Sequence, residues 1–276
     1  DIIFLGHNRL SIFDLSEAAN QPMHHKNFTL IFNGEIYNYL ELKKELESAG
    51  HQFVNHSDSE VILHAFDQWG SNCVKRFVGM WSFVIWNRLE KSLFASRDRF
   101  GIKPFNYIYE SGRFYFASEL KTLKDTPVFQ SNVNLRQVSR GIQMGWLGYH
   151  DETYYVCIKA LPAAHNLTFQ NGKLSVERYW DIQTGSYSAF NFEQKCDAFY
   201  RLFSDSVRIH MRSDVPVASC LSGGLDSSAI VSMIQEQNPG KSYKSFSIYY
   251  EGEGDVDERP FIHEVIKKYP SIEPHY

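Results

Sequence analysis

The stretch Ser222-Gly223-Gly224-Leu225-Asp226-Ser227-Ser228 sets two glycines, three hydroxyls and one carboxylate between an apolar run that ends at Leu221 and a segment of helical period. Glycine lets backbone N–H groups come close to anionic oxygens. A helix N-terminus adds unpaired amides and a partial positive charge, so the composition suits a phosphate seat. Ser222, Ser227 and Ser228 would add hydroxyl donors, and Asp226 could hold Mg2+ against a polyphosphate. The same residues equally suit a plain capped turn, and taken alone they do not decide between the two. Neither G-x-x-x-x-G-K-S/T nor a G-x-G-x-x-G after a strand occurs in the chain, which sets aside two other phosphate loops.

The elements around this stretch favour the seat. "VPVASCL" reads as a strand, "SSAIVSMIQEQ" as a helix starting near Ser227, "KSFSIYY" as a strand and "DERPFIHEVIKK" as a helix. Such alternation predicts a parallel sheet covered by helices, and ligands of these sheets sit beyond the carboxyl ends of the strands. Phe192, Cys196, Phe199, Phe203, Val207 and Met211 recur at helical spacing just before, and the polar "DIQTGSYSAFN" (181–191) reads as a linker.

The first 180 residues read differently. "FTLIF" is a short strand ending at "NGE", and "YLELKKELESAG" carries Tyr39, Leu42, Leu46 and Ala49 on one helical face. "SDSEVILHAFDQWG" has Ser57 and Glu60 at capping-box spacing, and "WSFVIW", "SLFAS" and the hairpin "FNYIY" to "RFYFA" follow as strands. Helices beside antiparallel strands predict layered packing of helices on sheets.

Bulk composition narrows the class. With 276 residues, 43% of them hydrophobic, the chain has material for about two folded domains. A net charge of -4 gives no general pull toward nucleic acid or an anionic membrane, and apolar runs such as "FVIW" are too short to span a bilayer. Cys73, Cys157, Cys196 and Cys220 show no C-x-x-C spacing, and free thiols point to a reducing, cytoplasmic setting. Eleven histidines, including the pair His24-His25, show no metal-site spacing near acidic partners, so no structural metal is expected.

"SGGLDSS" resembles the PP-loop of ATP pyrophosphatases, which cleave ATP between its α and β phosphates. "GHNRLSIFD" (6–14), "NGEIYN" (33–38), "SDSEVIL" (57–63) and "RDRFGIKPF" (97–105), followed by "SDVPVASCLSGGLDSS", together resemble the glutamine-hydrolysing asparagine synthetases. The resemblance implies an α+β, Ntn-hydrolase-like αββα glutaminase domain over 1–182. An α/β parallel-sheet PP-loop domain would start at 192 and run to 276, both domains being incomplete. It implies glutamine, aspartate and ATP as substrates, Mg2+ as cofactor, an internal ammonia tunnel and a homodimer. Arg9 matches the residue that takes the α-carboxylate of glutamine, a task suited to a two-pronged guanidinium. Leu10 and Ile12 fall in the same motif, Asn33 and Gly34 match an oxyanion hole, and Glu35 and Asp58 match carboxylates that hold the ammonium and amide groups. Asp58 would also favour a helix N-terminus whatever its role. For the nucleotide, Leu221, Ser222, Gly223, Gly224, Asp226, Ser227 and Ser228 match the loop. Ile248 matches an adenine contact, with a core isoleucine as the alternative, and Asp257 matches an acidic position, with a helix cap as the alternative.

The pattern breaks at the nucleophile. The family uses a cysteine at residue one, with its own α-amino group as base, whereas this sequence opens on Asp1 and its cysteines are internal. The chain is therefore expected to be a fragment, with further synthetase segments beyond Tyr276. A β-lactam synthetase-like enzyme and a non-catalytic remnant are the alternatives.

Overall fold

A computed structural model describes residues 3–145, 150–249 and 257–276. The chain divides into two units, Asp1–Gln183 and Thr184–Tyr276.

In the first unit β1 (Met23–His25) and β2 (Phe28–Ile36) lead into helices α1 (Tyr39–Ser48) and α2 (Asp58–Trp69). Next come β3 (Gly79–Asn87), β4 (Ser92–Arg97), β5 (Asn106–Glu110), β6 (Arg113–Ala117), α3 (Leu120–Lys124) and α4 (Leu135–Met144). The unit closes with β7 (Lys159–Ala160), β8 (His165–Gln170) and β9 (Lys173–Arg178). Six strands form an antiparallel sheet in the order β1-β2-β3-β4-β8-β9, and three form a second in the order β6-β5-β7.

The period-two pattern of the strands sorts side chains to two faces. Leu30, Phe32, Phe83, Ile85 and Phe94 point to the face packed by Leu42 and Leu46 of α1 and by Val61, Ile62 and Ala65 of α2. Their alternates Val84, Leu93, Ala95 and Leu167 meet Phe105 and Tyr107 of the smaller sheet's side. Ile108 and Tyr115 pack on Leu120 and Leu123 of α3 beyond that sheet. Helix, sheet, sheet, helix is thus the layer order, the expected αββα arrangement.

The capping box at the start of α2 is half formed. Ser57 accepts from Glu60 N–H, but the Glu60 carboxylate accepts from Val54 and Asn55 N–H instead of reaching back to Ser57. A complete box occurs at Asn191 and Gln194, where α5 (Phe192–His210) begins. The sequence carries no expectation of an element at α4, β8 or β9. Helix α4 is short and mostly exposed, with Gln137 N–H capped by Asn134.

In the second unit β10 (Ser219–Cys220), α6 (Leu225–Gln237), β11 (Tyr243–Phe246), α7 (Arg259–Lys268) and β12 (Ile272–His275) follow α5. The sheet β10-β11-β12 is parallel. Leu221, Val231, Ile262 and Ile272 form a core between its strands and helices. The strand expected over the whole of "VPVASCL" is only two residues long. Helix α6 starts at Leu225, two residues before the expected Ser227, because Gly224 takes the extended cap conformation (φ -65°, ψ 162°).

Candidate functional site

In the first unit a cavity of about 120 Å³ is lined by Arg9, Leu10, Ile12, Asn33, Gly34, Glu35 and Asp58, together with His7, Gln21, Ser59 and Lys103. The seven residues named from the sequence for a glutamine pocket therefore converge. Their elements explain why. Asn33, Gly34 and Glu35 are consecutive on β2, and Asp58 is the first residue of α2, whose packing on that strand lets Ile36 N–H donate to Asp58 Oδ2 at 2.9 Å.

The carboxylates sit in an electrostatically costly place. Asp58 is buried, and desolvation with the nearby Glu35 pushes its carboxyl up to about 7 against the pull of the Ile36 N–H bond. Burial also raises Glu35, while the charge of Lys103 pulls it back. Two carboxylates held up in this way favour a cation beside them, since a positive ligand would restore their ionised forms.

Arg9 is disposed otherwise than the sequence suggests. Its Nη2 donates to the carbonyls of Phe13 (2.6 Å) and Asp14, and its Nη1 to that of Ser16. Nη2 belongs to both two-pronged edges of a guanidinium, so the fork is engaged in closing the 9–16 loop. Nε–H and one Nη1 proton stay outside these three bonds. Leu10, also at the cavity, is 84% exposed.

Lys103 was not identified from its residue type, although it lies in the motif "RDRFGIKPF". The reason it reaches the cavity is Asp98, fully buried, whose carboxylate accepts from the N–H groups of Trp81, Phe100, Ile102 and Lys103. Arg97 donates to the carbonyls of Gly101, Lys103 and Leu161 from the other side. Replacing Asp98 with alanine strands four amides and is expected to cost about 3 kcal/mol, read in urea unfolding together with faster exchange of the Ile102 and Lys103 amides. Unchanged protection of those amides would contradict it. None of the four cysteines lines the cavity. Cys73 is buried in the core under α2, and Cys196 and Cys220 are exposed in the second unit.

The second unit holds the other candidate. Leu221 to Gly224 run from β10 into α6, Ser222 Oγ and Ser227 Oγ lie 3.1 Å apart, and Ser227 Oγ also meets Gly224 O and Ser222 N. Gly223 has φ +78°, and a Cβ there would stand 2.8 Å from Phe261 Cβ and 3.1 Å from Glu258 O. Ser222, Leu225 and Asp226 are exposed, so the helix start opens to solvent. Ser228 Oγ, one turn in, is buried without a partner. Ile248 lies just past β11 and is 81% exposed among the described residues. Asp257 accepts from Arg259 N–H and grips the Arg259 guanidinium through both oxygens. The N-cap of α7 is Glu258, so Asp257 stands one position outside it and is not the cap residue.

The profile described as glutamine amidotransferase domain matches residues 1–180. The chain belongs to that family. As a glutamine amidotransferase domain protein it carries a second match, to the asparagine synthase profile, over residues 198–276. It is 37% identical over 256 residues to "Asparagine synthetase [glutamine-hydrolyzing] 3" of Bacillus subtilis, covering 90% of this chain and 41% of that one. It is 36% identical over 293 residues to "Putative asparagine synthetase [glutamine-hydrolyzing] 2" of Methanocaldococcus jannaschii, covering 99% and 56%. The chain thus spans about half the length of these curated relatives. Among the described residues no helix is long and apolar enough to cross a membrane.

Proposed function

We propose that this amidotransferase-family protein is a glutamine-dependent asparagine synthetase. In this reading the first unit hydrolyses glutamine, and the second activates aspartate with ATP so that ammonia displaces AMP. The convergence of Arg9, Asn33, Gly34, Glu35 and Asp58 on one cavity carries the proposal. Glu35 and Asp58 receive the ammonium of glutamine, Arg9 offers its remaining N–H groups to the α-carboxylate, and Asn33 with the Gly34 N–H faces the oxygen that gains charge during hydrolysis. Such a donor is worth about 3 kcal/mol of barrier.

For the nucleotide, the residues present fit a polyphosphate. Gly223 keeps the loop free of a Cβ that its surroundings could not accommodate, and the unpartnered Ser228 hydroxyl is available as a donor. Mg2+ held by the exposed Asp226 would offset charge on the phosphates. Ser222, Gly224 and Ser227 bind and orient them, with Ile248 presenting an exposed apolar surface to the base. The four free thiols suit a reducing compartment, and the cytoplasm is the location this reading implies.

The full-length protein, supplied with Mg-ATP, aspartate and glutamine, is expected to release AMP and pyrophosphate in step with asparagine. Release of ADP would refute the reading, and pyrophosphate without any need for glutamine or ammonia would favour ring closure of a β-lactam type. At the loop, Gly223→Ala is expected to weaken ATP binding at least tenfold while glutamine hydrolysis persists, because φ +78° and the Phe261 contact both resist a side chain. Equal ATP affinity in calorimetry would remove the loop from the proposal.

A further inference from the structure

Three histidines that the sequence keeps far apart meet in the first unit. His25 ends β1, His51 follows α1 and His64 lies within α2, and one ring nitrogen of each lies within 4.8 Å of the others. We infer that His25, His51 and His64, with Asp67, form a site for a divalent transition metal of the Zn2+ class. It is separate from the cavity around Arg9 and Asp58, none of its four residues lining that cavity.

The hydrogen bonds around the rings favour a metal over a closed polar cluster. His51 Nε2 lies 3.0 Å from Gln68 Oε1, an acceptor, so Nε2 carries the proton and Nδ1 presents a lone pair. His64 turns Nε2 toward the Glu60 carboxylate at 3.7 Å, which favours a proton there as well and a lone pair on Nδ1. These two Nδ1 atoms face each other at 2.9 Å. With both outer nitrogens protonated, two lone pairs would repel unless a cation lay between them. Metal-bound histidines characteristically donate their other N–H to a carbonyl or carboxylate, which is the arrangement of Gln68 and Glu60.

The other two donors complete the set. His25 Nε2 is buried and, among the described residues, lies within 3.5 Å of no hydrogen-bond partner. Asp67 Oδ2 lies 3.6 Å from His25 Nε2 and 4.0 Å from His51 Nδ1, and Lys26 Nζ holds the same oxygen at 2.6 Å. Around a tetrahedral Zn2+ with bonds near 2.0–2.1 Å, donor atoms stand about 3.3 Å apart, so pairs separated by at most 4.8 Å here would have to close by up to about 1.5 Å. Three imidazoles and a carboxylate suit Zn2+, or Co2+ in its stead, over hard cations such as Mg2+ or Ca2+. The expectation of no structural metal arose because the ligands come from three elements. Only Glu60, His64 and Asp67 show any regular spacing, along one side of α2.

The test is titration of the purified, chelator-treated chain with Zn2+ and with Co2+. One equivalent of Zn2+ should be retained through dialysis, and Co2+ should give the strong visible absorption of a tetrahedral site. His25→Gln and His51→Gln should each weaken binding at least tenfold, and Gln68→Leu by about tenfold. His25 is partly exposed, so its variant should melt at the parent's temperature without metal, which separates loss of the site from loss of the fold. No saturable binding, or binding unchanged in both histidine variants, would overturn the inference.

Discussion

Gly34→Ala is expected to destabilise the first unit by about 3 kcal/mol. Gly34 has φ +152°, and a Cβ there would lie 2.1 Å from Met80 O and 2.8 Å from Trp81 Cα. Both obstacles are backbone of β3, in register with Gly34 and Glu35, so neither can rotate away. Gly79 meets the reciprocal limit, its added Cβ standing 2.1 Å from Glu35 O. The two strands therefore approach closely where β2 delivers Asn33, Gly34 and Glu35 to the cavity, and relief of the clash must splay those residues. All five tryptophans of the chain precede residue 183, so indole fluorescence during urea unfolding reads this unit by itself. Gly6→Ala, with nothing within 4 Å of its Cβ, is the control. A Gly34→Ala midpoint matching that control would refute the prediction.

The second large effect concerns Asp58 and pH. Its carboxyl is pushed from 3.8 to about 7 on folding, chiefly by burial. The folded state therefore keeps a proton that the unfolded chain gives up, and the stability this supplies is complete below about pH 3.8. It is lost as pH rises through about 7, by up to about 4 kcal/mol for a shift of about three units. Asp58→Asn removes that slope, and the variant should be more stable than the parent at pH 8 by about 2 kcal/mol, since the amide can still accept from Ile36 N–H. Glutamine binding should change in the opposite sense. An ammonium beside Asp58 favours the carboxylate, so glutamine should bind more tightly as pH climbs to about 7 and expel a proton below it. The asparagine variant should bind more than tenfold more weakly at every pH. Calorimetry in two buffers of different ionisation heat counts the proton. Equal affinity of parent and variant at pH 8 would detach Asp58 from the substrate.

What the sequence disclosed was mostly local. Helices α1 and α2 follow from apolar residues three and four apart, and the turn from β10 to α6 from glycines and serines in a row. Helix α6 starts two residues ahead of the expected Ser227 because Gly224 serves as cap without a side chain, and side-chain caps are what a sequence displays. Arg9 could be assigned to the cavity from its motif. That its fork closes on the carbonyls of Phe13 and Asp14 depends on the path of the loop, which no spacing encodes. Lys103 was hidden for a related reason, because Asp98, gathering four amides, sets the turn that aims it. His25, His51 and His64 lie furthest from legibility, since their meeting depends on β1, α2 and the chain after α1 all packing correctly.

The outer strand β9 also governs how copies of the molecule treat one another. At the open margin of the six-stranded sheet, its unpaired amides could template a neighbouring chain, yet it carries Lys173, Glu177 and Arg178, all exposed, with Val176 as its one large exposed apolar side chain. Charges on such a border penalise edge-to-edge stacking, so colloidal solubility rests partly on a strand that contributes little to the core. Neutralising those three positions should promote aggregation while leaving the melting temperature nearly unchanged.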